Sequence, residues 1–254
     1  MILGLLSMYT APGELVPSGA LVRAVRALGL SESSTRTALS RLQADGSLVR
    51  HRDGRRTSYR LSAPLRAALG GERERMLATE VPDGGQPLSL VAFTVPEANR
   101  DLRHDLRSAL AAAGYVSIFD GLWAATADRA AHASEVLAEL GVASSCLFRA
   151  EVDPLWVTPV GVASPELARY RSRLAEFLDL YGPLCGASLD DEQAYTARSG
   201  LSRDWFAMVD PHPAIPPSLL ADWPIDAVRK VANDVWSATE APGRRYFASL
   251  IAAS

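Results

Sequence analysis

Thr35, Ala38, Leu39 and Leu42 are spaced by three, one and three residues, which is one face of a helix. Ser33, Arg36, Thr37, Ser40 and Arg41 fall off that face and stay available to a partner. Ser31 fits an N-cap and Gly46 a stop, so the element should run for about thirteen residues. Upstream, Leu21, Val22, Val25 and Leu28 repeat the pattern over Ser18 to Leu28, and Gly29-Leu30-Ser31 supplies a tight turn between the two helices. Ile2 to Tyr9 is apolar enough to form a first helix laid across this pair.

After Gly46 the period changes to two. Leu48, Arg50 and Arg52, then Thr57, Tyr59 and Leu61, mark two strands, and Asp53-Gly54 is a hairpin signal between them. A helix-turn-helix followed by such a hairpin is the arrangement of a winged DNA-binding head. It would set Ser33, Arg36, Thr37, Ser40 and Arg41 in the major groove, with Arg50, Arg52, Arg55, Arg56 and Tyr59 of the wing along the flanking backbone.

From Ala63 to Gln86 the chain reads as a helical connector that ends in a loop. Leu88 to Val95 is a buried strand. A helix from Asn99 to Ala113, one or two strands over Tyr115 to Thr126, a helix from His132 to Leu140 and a strand from Ser144 to Val152 follow it. That β-α-β-β-α-β order predicts a ferredoxin-like sandwich. Beyond Asp153-Pro154 helices dominate: Pro165 to Tyr181, Asp190 to Val209 and Asp226 to Ala238, with an extended proline-rich stretch at Pro211 to Pro217. The expected fold is therefore α+β, with a winged head at 1–68, a connector at 69–86, a ferredoxin-like domain at 87–154 and a mostly helical domain at 155–254.

Charge sharpens the picture. Residues 1–68 hold ten arginines and four acids, a surplus of six, whereas the remainder holds sixteen basic and twenty-five acidic residues, a deficit of nine. The overall net charge of −3 thus hides a basic head on an acidic body, the electrostatic footprint of a phosphate binder. No apolar run reaches the roughly eighteen residues of a membrane span, and no basic leader precedes Ile2, so a cytoplasmic protein is expected. Cys146 and Cys185 stand apart, and burial is expected for both, with neither a disulfide nor a metal site.

Several segments resemble the PaaX family of transcriptional repressors, whose known members control phenylacetic acid catabolism. RTALSRLQADGSLV and GRRTSYRL resemble the family's recognition helix and wing, and VAFTVPEANRDLRHDLRSALAAAGYVSIFDGLW its central strand, VPE turn, helix and Gly-Leu-Trp segment. DPHPAIPPSLLADWP resembles its Asp-Pro and Asp-Trp-Pro pattern. The resemblance implies a homodimer that represses operons from palindromic operators in double-stranded DNA. It also implies release by an aryl-CoA or acyl-CoA thioester, with the C-terminal helical region as the place for effector binding and dimer contact.

A CoA thioester needs an apolar slot and cations for its phosphates. Trp123, Trp156, Trp205, His212 and Trp223 are candidates for the first, Arg173, Arg198 and Arg203 for the second. An enzyme or a protein-interaction module on the same scaffold is the competing reading, with Asp190, Asp191, Glu192 and His212 as conceivable acid-base groups. Glu97 in the VPE turn is the only acid placed where a nuclease of this fold would hold a metal. No nucleophile elbow, phosphate loop or zinc motif is present, so neither catalysis nor a cofactor is expected.

Overall fold

A computed structural model of the chain describes residues 1–77, 87–151, 164–209, 215 and 223–252, with side chains left undescribed at 71–77 and 209. The expected proline-rich stretch, apart from Ile215, lies outside these residues. The chain is α+β and forms two compact units, one of Met1–Thr79, Leu178–Phe206 and Asp226–Ser254, the other of Glu80–Phe177 and Ala207–Ile225.

In the first unit α1 (Ile2–Tyr9), β1 (Val16–Pro17), α2 (Ser18–Arg26), α3 (Glu32–Ala44), β2 (Leu48–Asp53) and β3 (Arg56–Leu61) follow one another, and the strands form an antiparallel sheet in the order β1-β3-β2. α4 (Ala63–Leu77) follows. Leu5, Leu6, Leu21, Val25, Leu39, Leu48 and Leu61 make the core, which is why the helical and strand periodicities converge on the same side of the head.

The separate helical domain expected over 155–254 is not the division the structure shows. α8 (Asp191–Val209), up to Phe206, and α9 (Ile225–Ala252), from Asp226, pack into the head unit. Buried aromatic residues are the physical reason. Tyr9 of α1 stacks on Phe247 of α9 at 4.9 Å between ring centroids and leans on Tyr195 of α8 at 5.5 Å. α9 also runs much further than the expected end at Ala238, because Pro242 sits inside it instead of stopping it. Gly243, the next residue, lets the helix approach closely: a Cβ there would lie 3.0 Å from the Tyr9 hydroxyl and 3.5 Å from the Tyr195 Cα.

The second unit carries β4 (Leu88–Phe93), α5 (Arg100–Ala112), β5 (Val116–Phe119), β6 (Leu122–Thr126), α6 (Ala130–Glu139) and β7 (Ser145–Ala150). All four strands pair antiparallel in the order β5-β6-β4-β7, the ferredoxin-like arrangement. Val91, Phe93, Trp123 and Ala125 on one sheet face pack with Leu106, Leu110, Ala133 and Val136 of the helices. On the other face Leu88, Val116 and Ala124 meet Leu167 from α7 (Pro165–Tyr181) and Ile215. The β5–β6 hairpin turns on Gly121, whose φ of +83° and 2.6 Å virtual Cβ contact with the Phe93 carbonyl admit no side chain. Burial was expected for both cysteines, but Cys146 is exposed, because β7 is an edge strand, and Cys185 is half-buried; both thiols are free.

Candidate nucleic-acid interface

α3 begins where its sequence says it should. The Ser31 side-chain oxygen accepts the Ser34 amide at 3.2 Å, an N-cap, and Gly46, in the left-handed region at φ +78°, follows the last turn. Thr35 and Leu39 are buried, which fixes the rotation of the helix and leaves Ser33, Arg36, Thr37, Ser40 and Arg41 all exposed on its outer side. The Thr37 hydroxyl donates to the Ser33 carbonyl at 3.1 Å. Arg36 lies 3.9 Å from Glu32, which Arg26 approaches to 3.3 Å. Ion pairs this exposed are worth little and exchange readily for another anion.

The wing pairs Leu48 with Leu61, Arg50 with Tyr59, Arg52 with Thr57 and Asp53 with Arg56. Gly54 takes a positive φ of +56° while Arg55 does not, the pattern of a type II′ turn, which needs glycine at its first central position. Arg55 is thereby set at the tip. Arg50, Arg52, Arg55 and Arg56 are exposed, and Arg52 Nε donates to the Gly54 carbonyl at 3.3 Å.

Tyr59 departs from expectation. It shares the face of Leu48 and Leu61, is only 8% exposed, and belongs to the core of the head instead of the contact surface. The alternation that places it inward places Arg60, half-buried, on the opposite face with His51 and Arg56. Arg60 extends the basic surface. The period-two pattern that defines the strand was the signal for Arg60.

The arginines of the wing, and Arg41, differ from several others in their acid partners. Among the described residues Arg103, Arg107, Arg169, Arg203 and Arg245 each have a carboxylate within 4 Å. Arg41, Arg50, Arg52, Arg55 and Arg56 have none there. A cluster of exposed cations without carboxylate partners attracts a polyanion such as the phosphate backbone of a duplex.

The structure describes six of the eight effector candidates. Arg198, Arg203 and Trp205 belong to the first unit, Trp123, Arg173 and Trp223 to the second, and Trp156 and His212 lie outside the described residues. Arg198 is fully buried, its guanidinium 3.7 Å from the centre of the Trp236 ring and hydrogen-bonded to the Trp236 carbonyl. Arg203 donates to Asp204 at 2.7 Å, and Asp204 also accepts the Tyr181 hydroxyl at 2.7 Å. Burial alone would raise the Asp204 pKa, but these hydrogen bonds outweigh it and hold the carboxyl below its ordinary value. Trp205 is buried and Trp123 is core. Arg173 donates to the Ala207 carbonyl at 3.4 Å, and Trp223 is half-buried, tilted on Tyr170 at 5.9 Å. A cleft between Met8, Leu69, Phe206 and Trp236 holds about 20 Å³, room for a water molecule but not for a phenyl ring.

The acids of the enzyme reading have structural partners. Asp190 accepts the Gln193 amide at 2.8 Å while Gln193 accepts the Asp190 amide at 3.1 Å, a capping box for α8. Asp191 takes a fork from Arg245 at 2.6 and 3.0 Å, and Glu97 pairs with Arg103 at 2.8 Å. Among the described residues no three metal-binding side chains cluster, and no helix is long and apolar enough to cross a membrane.

Comparison with known proteins bears directly on this surface. The model for PaaX-like protein matches residues 1–65, and the model for the PaaX protein central Cas2-like domain matches residues 89–161. The chain belongs to the PaaX family. Membership makes it a PaaX-like regulator at the level of the family, with DNA as its partner, and the winged head is where the first model lies. The uncharacterized protein Rv0674 from Mycobacterium tuberculosis has a similar fold, with a TM-score of 0.56, 18% identity and 96% of each chain covered. No curated protein matches significantly.

Proposed function

We propose that this PaaX-family chain is a homodimeric transcriptional repressor in the cytoplasm, without catalytic activity, which leaves its operator when an aryl- or acyl-CoA thioester binds. The observation that carries the reading is the set of exposed arginines on the outer side of α3 and on the wing, none of the wing cations answered by a carboxylate among the described residues. Two copies related by a two-fold axis would set their α3 helices in successive major grooves, about 34–36 Å apart, and so read a palindrome. Arg36, Thr37 and Ser40 would face base edges, and Arg50, Arg52, Arg55 and Arg56 the flanking phosphates. The effector belongs to the family resemblance. It would have to prefer a second arrangement of the dimer, by about 5.5 kcal/mol to move a population from one extreme to the other.

The test is enrichment of duplexes from a randomised library by the full chain, followed by titration of the enriched duplex with phenylacetyl-CoA and with free CoA. A palindromic consensus that the thioester alone dissociates is the expected result. Failure to enrich any sequence at low salt refutes the regulator, and indifference to the thioester refutes the effector. Arg36→Ala should cost about 1–3 kcal/mol on the enriched duplex and relax its preference at one position.

A further inference from the structure

We propose that Tyr195 and Arg23 are positioning residues for the DNA-reading helix, so that the carboxy-terminal helices α8 and α9 set the aim of α3. The inference rests on the reading of α3 as the element that contacts bases.

The argument starts from the end of α2. The carbonyls of the last helical turn have no intrahelical partner and must find one elsewhere. Here Ala27 donates to the Arg23 carbonyl at 2.9 Å, Leu28 and Leu30 both donate to Val25, at 3.1 and 3.3 Å, and Gly29 donates to Arg26 at 2.9 Å. The Ala24 carbonyl is satisfied from another part of the chain: the Tyr195 hydroxyl of α8 donates to it at 2.8 Å in a fully buried bond across 171 residues of sequence. The adjacent residue returns the contact. Arg23 sends Nε and Nη2 to the Leu250 carbonyl in the last turn of α9, at 3.2 and 2.8 Å. α8 therefore caps the end of α2, and α2 caps the end of α9.

This reciprocal capping falls where it bears on function. The α2 terminus leads through Gly29, at φ +82°, straight to Ser31, the N-cap of α3. α3 begins at Glu32, so Arg36 and Ser40 lie about 6 and 12 Å along it, and a tilt of about 10° at its origin would move them by about 1 and 2 Å. Base-edge hydrogen bonds fail over such a displacement, whereas contacts of long wing arginines with phosphates tolerate it. Loss of the caps should therefore cost sequence preference first and overall DNA attraction little.

Tyr195→Phe isolates the effect, since it removes one hydroxyl and keeps the ring, which packs against Tyr9, Tyr246 and Phe247. Arg23→Lys is the second variant, keeping the charge but losing the fork. Tyr246→Phe is the control: it alters the same aromatic group without touching α2. Each full-length variant is titrated with the duplex enriched by the wild type and with a scrambled duplex, well below its melting temperature. Hydrogen exchange is followed at Leu28, Gly29 and Leu30.

For Tyr195→Phe the preference for the enriched over the scrambled duplex should fall about tenfold, a difference of about 1.4 kcal/mol in binding. Exchange at the three amides should rise, and the salt dependence on the scrambled duplex should stay unchanged. Arg23→Lys should move the same readouts in the same direction, and it carries the test should Tyr195→Phe not fold. Wild-type preference in both variants overturns the inference, as does an equal loss in Tyr246→Phe. A wild-type chain that enriches nothing removes the underlying reading along with it.

Discussion

Replacing Arg50, Arg52, Arg55 and Arg56 together by alanine tests the wing in one step. All four are exposed and none has a carboxylate partner among the described residues, so the side-chain interaction lost from the fold there is the exposed Arg52–Gly54 hydrogen bond.

 Folding should be untouched, with a thermal melt as the control. Each phosphate contact contributes about 0.9 to the slope of log affinity against log salt, so four contacts give about 3.6. A fourfold rise in salt, from about 50 to 200 mM, should therefore shrink the advantage of the wild type over the quadruple variant by roughly 150-fold. Fluorescence anisotropy on one labelled duplex, at five or six salt concentrations, measures both slopes directly. If they agree to within about one unit, the wing does not meet phosphate and the reasoning fails.

Four further outcomes are expected. Tyr59→Phe should leave the salt slope as it is, because the side chain lies in the core of the head; a drop in slope would put Tyr59 back on the DNA surface. Leu39→Ala, at a buried position on α3, should destabilise the head by about 2–5 kcal/mol in urea unfolding, and a change below about 1 kcal/mol would contradict its packing role. Gly121→Ala combines a left-handed backbone with a Cβ placed 2.6 Å from the Phe93 carbonyl, and should cost at least about 2 kcal/mol, read from the same denaturation curves. Alkaline pH should weaken the head: burial raises Tyr9 to about 12 against the opposing pull of Arg198, and burial also raises Tyr181 and Tyr195. The folded state then holds protons that the unfolded chain releases from about pH 10 upward, so stability is full below pH 10 and falls as pH climbs through 12; a melting temperature flat across that interval would refute it.

Much of this architecture was legible in the sequence, because local rules set it. The α3 face, its Ser31 cap and the glycine beyond it are decided within fifteen residues, and the βαββαβ order follows from alternating periods in the central segment. Tyr59 was legible too, since its spacing from Leu61 places both on one strand face. What could not be read is anything set by distant partners. Pro242 and Gly243 resemble a helix stop, and only the close approach of Tyr9 and Tyr195 explains why α9 continues through them. Arg198 looked like a phosphate ligand because sequence cannot reveal that Trp236 covers it. Cys146 looked buried on composition alone, whereas strand order puts it on an edge.

The head is built from both ends of the chain, and this has a consequence for synthesis. A ribosome that has finished the wing at Leu61 has still to add residues 62–195 before Tyr195 is made, which takes roughly 7–27 s at about 5–20 residues per second. Throughout that interval the nascent amino-terminal segment shows its arginines while the surface meant for α8 and α9 stays uncovered. Arrested or clipped chains should thus be sticky and poorly discriminating, and competence to read an operator should arrive late, with the last helix.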